Sequence, residues 1–274
     1  MAEEIKFKNV LEKFNFHLDM NSIKKDDLLN LFEDFLVQNK LNSLECSIKY
    51  AHDNVFSKRF NIWFKGKNHF QSISNTIKFF NQVENKFNLK LNYDLLKNFF
   101  GKEFDLDLFD QVIMGVDFRE DLSKSRLKLW VLTLNYGVMK KLIQFYGINY
   151  NLASLPISNQ VLLGFDFGFD GSLNNKIYFT YFQELLNQDH TKQVFKNLFS
   201  KEFIEVVNYC DLIHISLSGG NGKYIFHFAP CQINFFKEKF SSSVGYDWNF
   251  PLKVFSTSST EFNSMQIRNY NIYY

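Results

Sequence analysis

Three stretches of this chain place a polar side chain at alternate positions of an otherwise apolar run: Arg59-Phe60-Asn61-Ile62-Trp63, Arg126-Leu127-Lys128-Leu129-Trp130 and Lys176-Ile177-Tyr178-Phe179. Successive side chains of a β-strand point to opposite faces, so a cation and a ring two residues apart share one face. The pattern limits the chain to a sheet with two unlike faces. The apolar face must be covered, and the basic, ring-lined face must be hydrated, filled or liganded.

The rest of the chain supplies material to cover the apolar face. Phe occurs 34 times and Pro only 3 times in 274 residues, a composition suited to helices layered on a sheet and large enough for a substantial core. Helical spacing runs through the N-terminal region to about Asn39, with Leu28, Leu29, Phe32, Phe35 and Leu36 as its apolar stripe. Strands are expected at 43–50 and 58–65, then helices near 72–88 and 93–100. A second cycle has strands at 111–119 and 125–134 and a helix at 137–146. A third has strands at 161–169 and 175–182 around the turn formers Asp170-Gly171-Ser172, followed by helix over 183–208. A fourth strand pair flanks Gly219-Gly220-Asn221-Gly222, read as a hairpin, before a helix at 231–241. The last pair is expected at 252–257 and 265–273. The result is about five strand-strand-helix-helix units in a single domain, 1–274, with a helical segment at about 1–40. Ten antiparallel strands can close into a barrel whose lumen holds a ligand, or lie open under a helical layer. Periodicity supports both.

Charge and cysteine usage narrow the function. Lys and Arg number 31 against 29 acidic residues, without a basic run, so the footprint of a nucleic-acid binder is missing. Cys46, Cys210 and Cys231 have no metal or redox spacing. Met1-Ala2-Glu3-Glu4-Ile5-Lys6 lacks a signal-type apolar region, and no run is long enough to span a bilayer. The expectation is a cytoplasmic monomer without nucleic-acid or membrane partners.

If the face bearing Arg59 points inward, it gathers Glu45, Ser47, Asn61, Trp63, Gly115, Asp117, Arg119, Arg126, Lys128, Trp130, Gly164, Asp166, Gly168, Lys176, Tyr178 and Thr180. The fourth hairpin adds Lys223, Ile225 and His227, or in the opposite phase Tyr224, Phe226 and Phe228. The final strand adds Arg268, Tyr270 and Ile272. Cations converging inside a sheet repel one another and lose hydration unless an anion compensates them. A diphosphate fits, held by Arg forks and Lys point charges. Tyrosine rings beside it could cover a cationic fragment and exclude water. Glu45 could take or direct the proton of a nucleophile. The plainer alternative makes these same cations solvent-facing charges, Trp63 and Trp130 packing residues, Glu45 a solvated glutamate and His227 a core histidine. No His, Asp or Cys set has metal-ligand spacing, and paired aspartate motifs of the magnesium-holding kind are absent.

The order of several segments resembles the cyanobactin prenyltransferases, which modify ribosomal cyclic peptides. The segments include Asn30 to Phe35, Glu45 ahead of Ser57-Lys58-Arg59-Phe60, and Phe79 to Phe87 continuing through Lys90 to Leu96. Further on come Gly115-Val116-Asp117-Phe118-Arg119, Ser125 to Leu129, Gly164-Phe165-Asp166-Phe167 with Asp170-Gly171, and the closing Ile272-Tyr273-Tyr274. The resemblance implies an α+β fold: a ten-stranded antiparallel barrel surrounded by helices, the ABBA prenyltransferase barrel. It implies dimethylallyl diphosphate as donor, geranyl diphosphate as the longer alternative, and a cyclic or linear ribosomal peptide as acceptor, with tyrosine favoured over Trp, Arg or His. Arg59 and Lys128 would bind the diphosphate, with Lys176, Tyr178, His227, Arg268 and Tyr270 completing the donor site. Glu45 would be the catalytic group. Magnesium is implied as a partner of the diphosphate, with no protein metal site. Ile213 or His214 matches the place where relatives set prenyl chain length. The alternatives are prenylation of a small aromatic molecule and a non-catalytic barrel that binds an apolar anion or peptide.

Overall fold

The computed structural model describes residues 10–39, 43–64, 68–99, 109–134, 137, 155–218, 224–245 and 251–274. Ten strands close into an antiparallel barrel: β1 (Leu44–Ala51), β2 (Asn54–Phe64), β3 (Gln111–Asp117), β4 (Arg126–Thr133), β5 (Gln160–Gly168), β6 (Leu173–Phe182), β7 (Cys210–Ser218), β8 (Tyr224–Pro230), β9 (Val254–Ser258) and β10 (Asn269–Tyr273). Each strand pairs with its neighbours in sequence, and β1 pairs with β10 to close the ring. Closure removes both sheet edges.

Helices coat the outside: α1 (Val10–Met20), α2 (Asp27–Gln38), α3 (His69–Phe87), α4 (Asp94–Phe99), α5 (Gln183–Leu186), α6 (Asp189–Leu198), α7 (Lys201–Val207), α8 (Ile233–Phe240) and α9 (Ser259–Ser264). Their boundaries have local causes. Asp26 caps α2 by accepting from the Leu29 amide, and Asn68 caps α3 by accepting from Gln71. Asn88 ends α3 in the left-handed region at φ 50°. The expected turn after β5 forms: the Gly171 amide donates to the Gly168 carbonyl, and Gly171 has φ 79°, where a Cβ would be strained.

The fully buried phenylalanines fill the layer between coat and barrel. Phe32 of α2 meets Phe60 of β2 at 5.3 Å, Phe80 of α3 meets Phe167 of β5 at 5.4 Å, and Phe203 of α7 meets Phe226 of β8 at 4.5 Å. Each fully buried ring contributes roughly 1.5–3 kcal/mol, so this outer layer carries the hydrophobic stabilisation and leaves the lumen free. Among the described residues, no helix is long and apolar enough to cross a membrane.

The element pattern follows the expected order with one correction. Between the last two strands the chain inserts α9, capped by Ser258 and ended by Met265 at φ 53°, so β10 begins at Asn269 instead of residue 265. The expected helix at 137–146 falls almost wholly outside the described residues, as do Gly219 to Gly222 and Lys223. The flanking strands β7 and β8 do pair antiparallel.

Candidate active site

Cross-strand register stacks the lumen side chains in layers. One layer runs Ser47, Arg59, Asp117, Arg126 and Gly168 across β1 to β5; the next runs Glu45, Asn61, Gly115, Lys128 and Asp166. The same alternation that hides Phe60, Ile62, Leu127 and Leu129 in the outer core thus turns the polar residues inward.

The lumen divides into two chambers. The polar one, about 150 Å³, is lined by Lys49, Arg59, Asp117, Arg126, Lys128 and Lys176, among others. Counting Arg119, which reaches Asp117 from outside the chamber lining, six cations surround two carboxylates. Asp117 is 3.3 Å from Arg59 Nε, 2.8 Å from Arg119 Nη2 and 3.6 Å from Lys128 Nζ; Asp166 is 2.8 Å from Lys176 Nζ and 3.9 Å from Arg126 Nη1. Lys49 is the sixth, and it makes no ion pair among the described residues. Burial alone would raise Asp117 and Asp166, but the crowd of cations outweighs it and holds both below the usual carboxylate range. Asp166 in turn raises Lys176. Hydrogen bonding in the cluster is incomplete on both sides: Arg59 Nε, Arg119 Nη1 and Asp117 Oδ1 are buried without a hydrogen bond. Orphaned guanidinium donors of this kind mark a place for a polyanion.

Arg59 is aimed by its neighbours. Its Nη1 donates to Asn271 Oδ1 at 2.7 Å, and Asn271 Nδ2 donates to Ser256 Oγ at 2.9 Å. The Arg119 guanidinium lies 3.7 Å from the Phe56 ring centroid.

The apolar chamber is larger, about 590 Å³, and includes Trp63, Ile113, Leu132, Leu162 and Phe182 in its wall. Both chambers share Asn61, Trp130, Tyr178, His227 and Tyr273, which form a waist between them. Trp130 lies flat over two glycines, Gly164, its partner in register on β5, and Gly115, two residues from its β3 partner Ile113. A Cβ at Gly115 or Gly164 would come within 2.4 Å of its ring atoms. Glu45 opens into the apolar chamber, and Asn61 Nδ2 donates to its Oε1 at 2.7 Å. Desolvation raises the Glu45 pKa despite that bond and the nearby Lys253, Lys13 and Arg59. His214 accompanies it on the opposite wall, its Nδ1 2.7 Å from Thr180 Oγ1, and burial lowers it to about 4.

The structure therefore brings Glu45, Arg59, Lys128, Lys176, Tyr178 and His227 to one lumen. Arg268 and Tyr270 are not there. Tyr270 stacks on Tyr50 at 4.5 Å and packs on Phe255 at 5.9 Å, on the outer face, and Arg268 is exposed beside it. Ile272 likewise lies in the outer core. The lumen positions of β10 are Asn271 and Tyr273. Five residues between a helix end and the chain's last residue give too short an alternation to set the phase. Lys49 and Tyr273 were absent from the sequence-based set, although Lys49 continues the alternation of Glu45 and Ser47. Of the two candidates for chain-length control, His214 faces the chamber and Ile213 the outer core.

Among the described residues, no group of three His, Cys, Asp or Glu side chains could hold a metal ion. Asp117 and Asp166 are already engaged by cations. These residues do not fit a protein-held magnesium ion.

Residues 9–274 match the model of a family described as a family of unknown function, DUF5838. The chain belongs to that family. No curated protein sequence matches it. Solved structures do resemble this DUF5838 chain in fold. The NotF prenyltransferase matches with a TM-score of 0.54 at 11% identity, covering 100% of this chain and 97% of that one. The 6-dimethylallyltryptophan synthase from Micromonospora olivasterospora, in complex with DMASPP and Trp, matches at 0.52 and 11%, covering 84% and 80%. The prenyltransferase PriB, in ternary complex with L-tryptophan and dimethylallyl thiolodiphosphate, matches at 0.51 and 9%, covering 84% and 79%. At such identities the likeness is one of architecture: this DUF5838 chain has the ABBA prenyltransferase fold.

Proposed function

We propose that this protein transfers a dimethylallyl group from dimethylallyl diphosphate to a nucleophilic side chain, tyrosine foremost, of a ribosomal peptide, as the resembled cyanobactin prenyltransferases do. One observation carries the reading. A chamber with more cations than carboxylates opens through an aromatic waist into an apolar chamber that contains a carboxylate of raised pKa.

Each part has a step. Arg59, Lys128 and Lys176 bind the diphosphate, and their charge stabilises the negative charge that grows on it as the allylic C–O bond breaks with its electron pair leaving on oxygen. Trp130, Tyr178 and Tyr273 enclose the allyl cation at the waist, where ring faces attract positive charge and exclude water. The acceptor atom attacks from the apolar chamber, forming the new bond. Its proton passes to Glu45, which Asn61 orients through Oε1, leaving Oε2 for the acceptor. Magnesium belongs to this reading only as an ion carried on the donor's own oxygens, and no step above uses it.

Exposed apolar residues support a peptide acceptor. Phe70, Leu134 and Ile157 are 70%, 56% and 66% exposed. They follow or precede the strand ends Phe64, Thr133 and Gln160 at the end of the barrel where the apolar chamber lies. A peptide flanking its modified side chain with apolar residues would cover them.

The test is mass spectrometry after incubation with dimethylallyl diphosphate, magnesium and a set of cyclic and linear peptides. The expected product carries one added C₅H₈ unit on a tyrosine. Product only with small aromatic acceptors would replace the peptide; no product from folded protein with either five- or ten-carbon donors would remove the catalytic reading.

A further inference from the structure

Lys49 and Lys128 are the two lysines of the polar chamber without a carboxylate at hydrogen-bond distance. Lys176 has Asp166 at 2.8 Å, whereas Lys128 Nζ is 3.6 Å from an Asp117 oxygen that also serves Arg59, and it makes no hydrogen bond among the described residues. Lys49 has neither an ion pair nor a hydrogen bond among those residues, although its side chain lines the same chamber. Bringing a charge into an enclosed space without a counter-charge is costly, and a lysine escapes the cost by giving up its proton.

Cations crowd both amines, although at Lys128 the strongest neighbouring charges are those of Asp166 and Asp117. Lys128 on β4 faces Arg59 from β2, Asp117 at the end of β3 with Arg119 just beyond it, Asp166 from β5 and Lys176 with Tyr178 from β6. His227 of β8 and Tyr273 of β10 close the chamber, and Arg126 precedes it on its own strand. Lys49 on β1 faces Arg59, Asp117, Arg119 and Arg126, with Asn271 beside it in register.

We propose that entry of the donor's diphosphate drives proton uptake onto Lys128 and Lys49, so that the empty chamber stores part of its cationic charge as neutral amines and gains it only when the anion arrives. This rests on reading the polar chamber as the diphosphate site. It makes Lys49 a donor-binding residue, and it makes donor affinity fall with rising pH. Burial lowers both lysines from the ordinary value to about 8 in the empty protein, which places the transition near neutral conditions. A diphosphate ester adds several negative charges at contact distance and restores the protonated form. By linkage, each amine that is half-neutral when empty and fully charged when liganded weakens binding about tenfold between pH 7 and pH 9.

The experiment is isothermal titration with dimethylallyl thiolodiphosphate in two buffers of different ionisation enthalpy, at pH 7, 8 and 9. The ester's terminal phosphate, with a pKa of about 6, contributes little of its own in that range. The expected result is net uptake of about one proton at pH 8, half from each lysine, and a tenfold to hundredfold loss of affinity from pH 7 to 9. Lys49→Met and Lys128→Met, checked for folding by circular dichroism, should each remove about half of the uptake. Binding with identical heats in both buffers and no pH dependence overturns the inference and leaves the diphosphate site standing. No binding at pH 7 removes the site itself.

Discussion

The two chambers of the lumen are built from one alternating wall, yet they treat carboxylates in opposite ways. Asp117 and Glu45 stand on lumen positions of neighbouring layers, and enclosure pushes both upward. At Asp117 three cations within 4 Å reverse the effect. At Glu45 a hydrogen bond from the Asn61 amide and the more distant Lys253, Lys13 and Arg59 do not. The difference shows that local cation density, and not burial, separates a permanently ionised counter-ion from a carboxylate suited to exchange a proton.

The strongest way to break this comparison is to remove a cation from the polar chamber. Arg59→Leu leaves Asp117 short of a partner and, on the proposed reading, strips the diphosphate of a forked contact. Affinity for a diphosphate ester should fall at least a hundredfold, about 3 kcal/mol, by calorimetry; a change below threefold would erase the distinction between chambers. Glu45→Gln attacks the other side. Turnover should drop about a hundredfold while donor affinity stays within twofold. The wild-type rate should rise with pH through the raised Glu45 pKa, and the variant should lose that limb. Stability has the opposite sign. The folded state holds the Glu45 proton to higher pH than the unfolded chain, so stability falls as pH rises above the ordinary glutamate range, and Glu45→Gln flattens that slope.

Smaller effects sharpen the boundary. Gly164→Ala forces Trp130 from the waist and should cost about 1–3 kcal/mol, read as a lowered midpoint in thermal unfolding with altered tryptophan fluorescence. His214→Ala enlarges the apolar chamber opposite Glu45. Its preference for geranyl over dimethylallyl diphosphate should rise about tenfold, the lower end of what one methylene is worth in a pocket, in a competition assay. Arg268→Ala and Tyr270→Phe, both outside the lumen, should leave donor affinity within twofold.

Much of the site was legible because alternation is a local signal. β2, β4 and β6 are eight to eleven residues long, enough for Arg59, Lys128 and Lys176 to be assigned to one face from their spacing. The helical stripes of α2 and α3 and the turn at Asp170-Gly171 rest on equally local chemistry. β10 was not legible. Its five residues read plausibly in either phase, and the insertion of α9 decided the entry point.

The sequence by itself determined that a sheet with a basic, aromatic face would form beneath a phenylalanine-rich helical coat, since periodicity and capping act within a few residues. Only the tertiary structure decided that the sheet closes, through β1 pairing with β10 across the whole length of the chain. It also decided which cations share Asp117 and Asp166, and that Glu45 is left with Asn61 in the apolar chamber. Those outcomes depend on inter-strand register and on the field of charges gathered from six strands, neither of which any one stretch of residues contains.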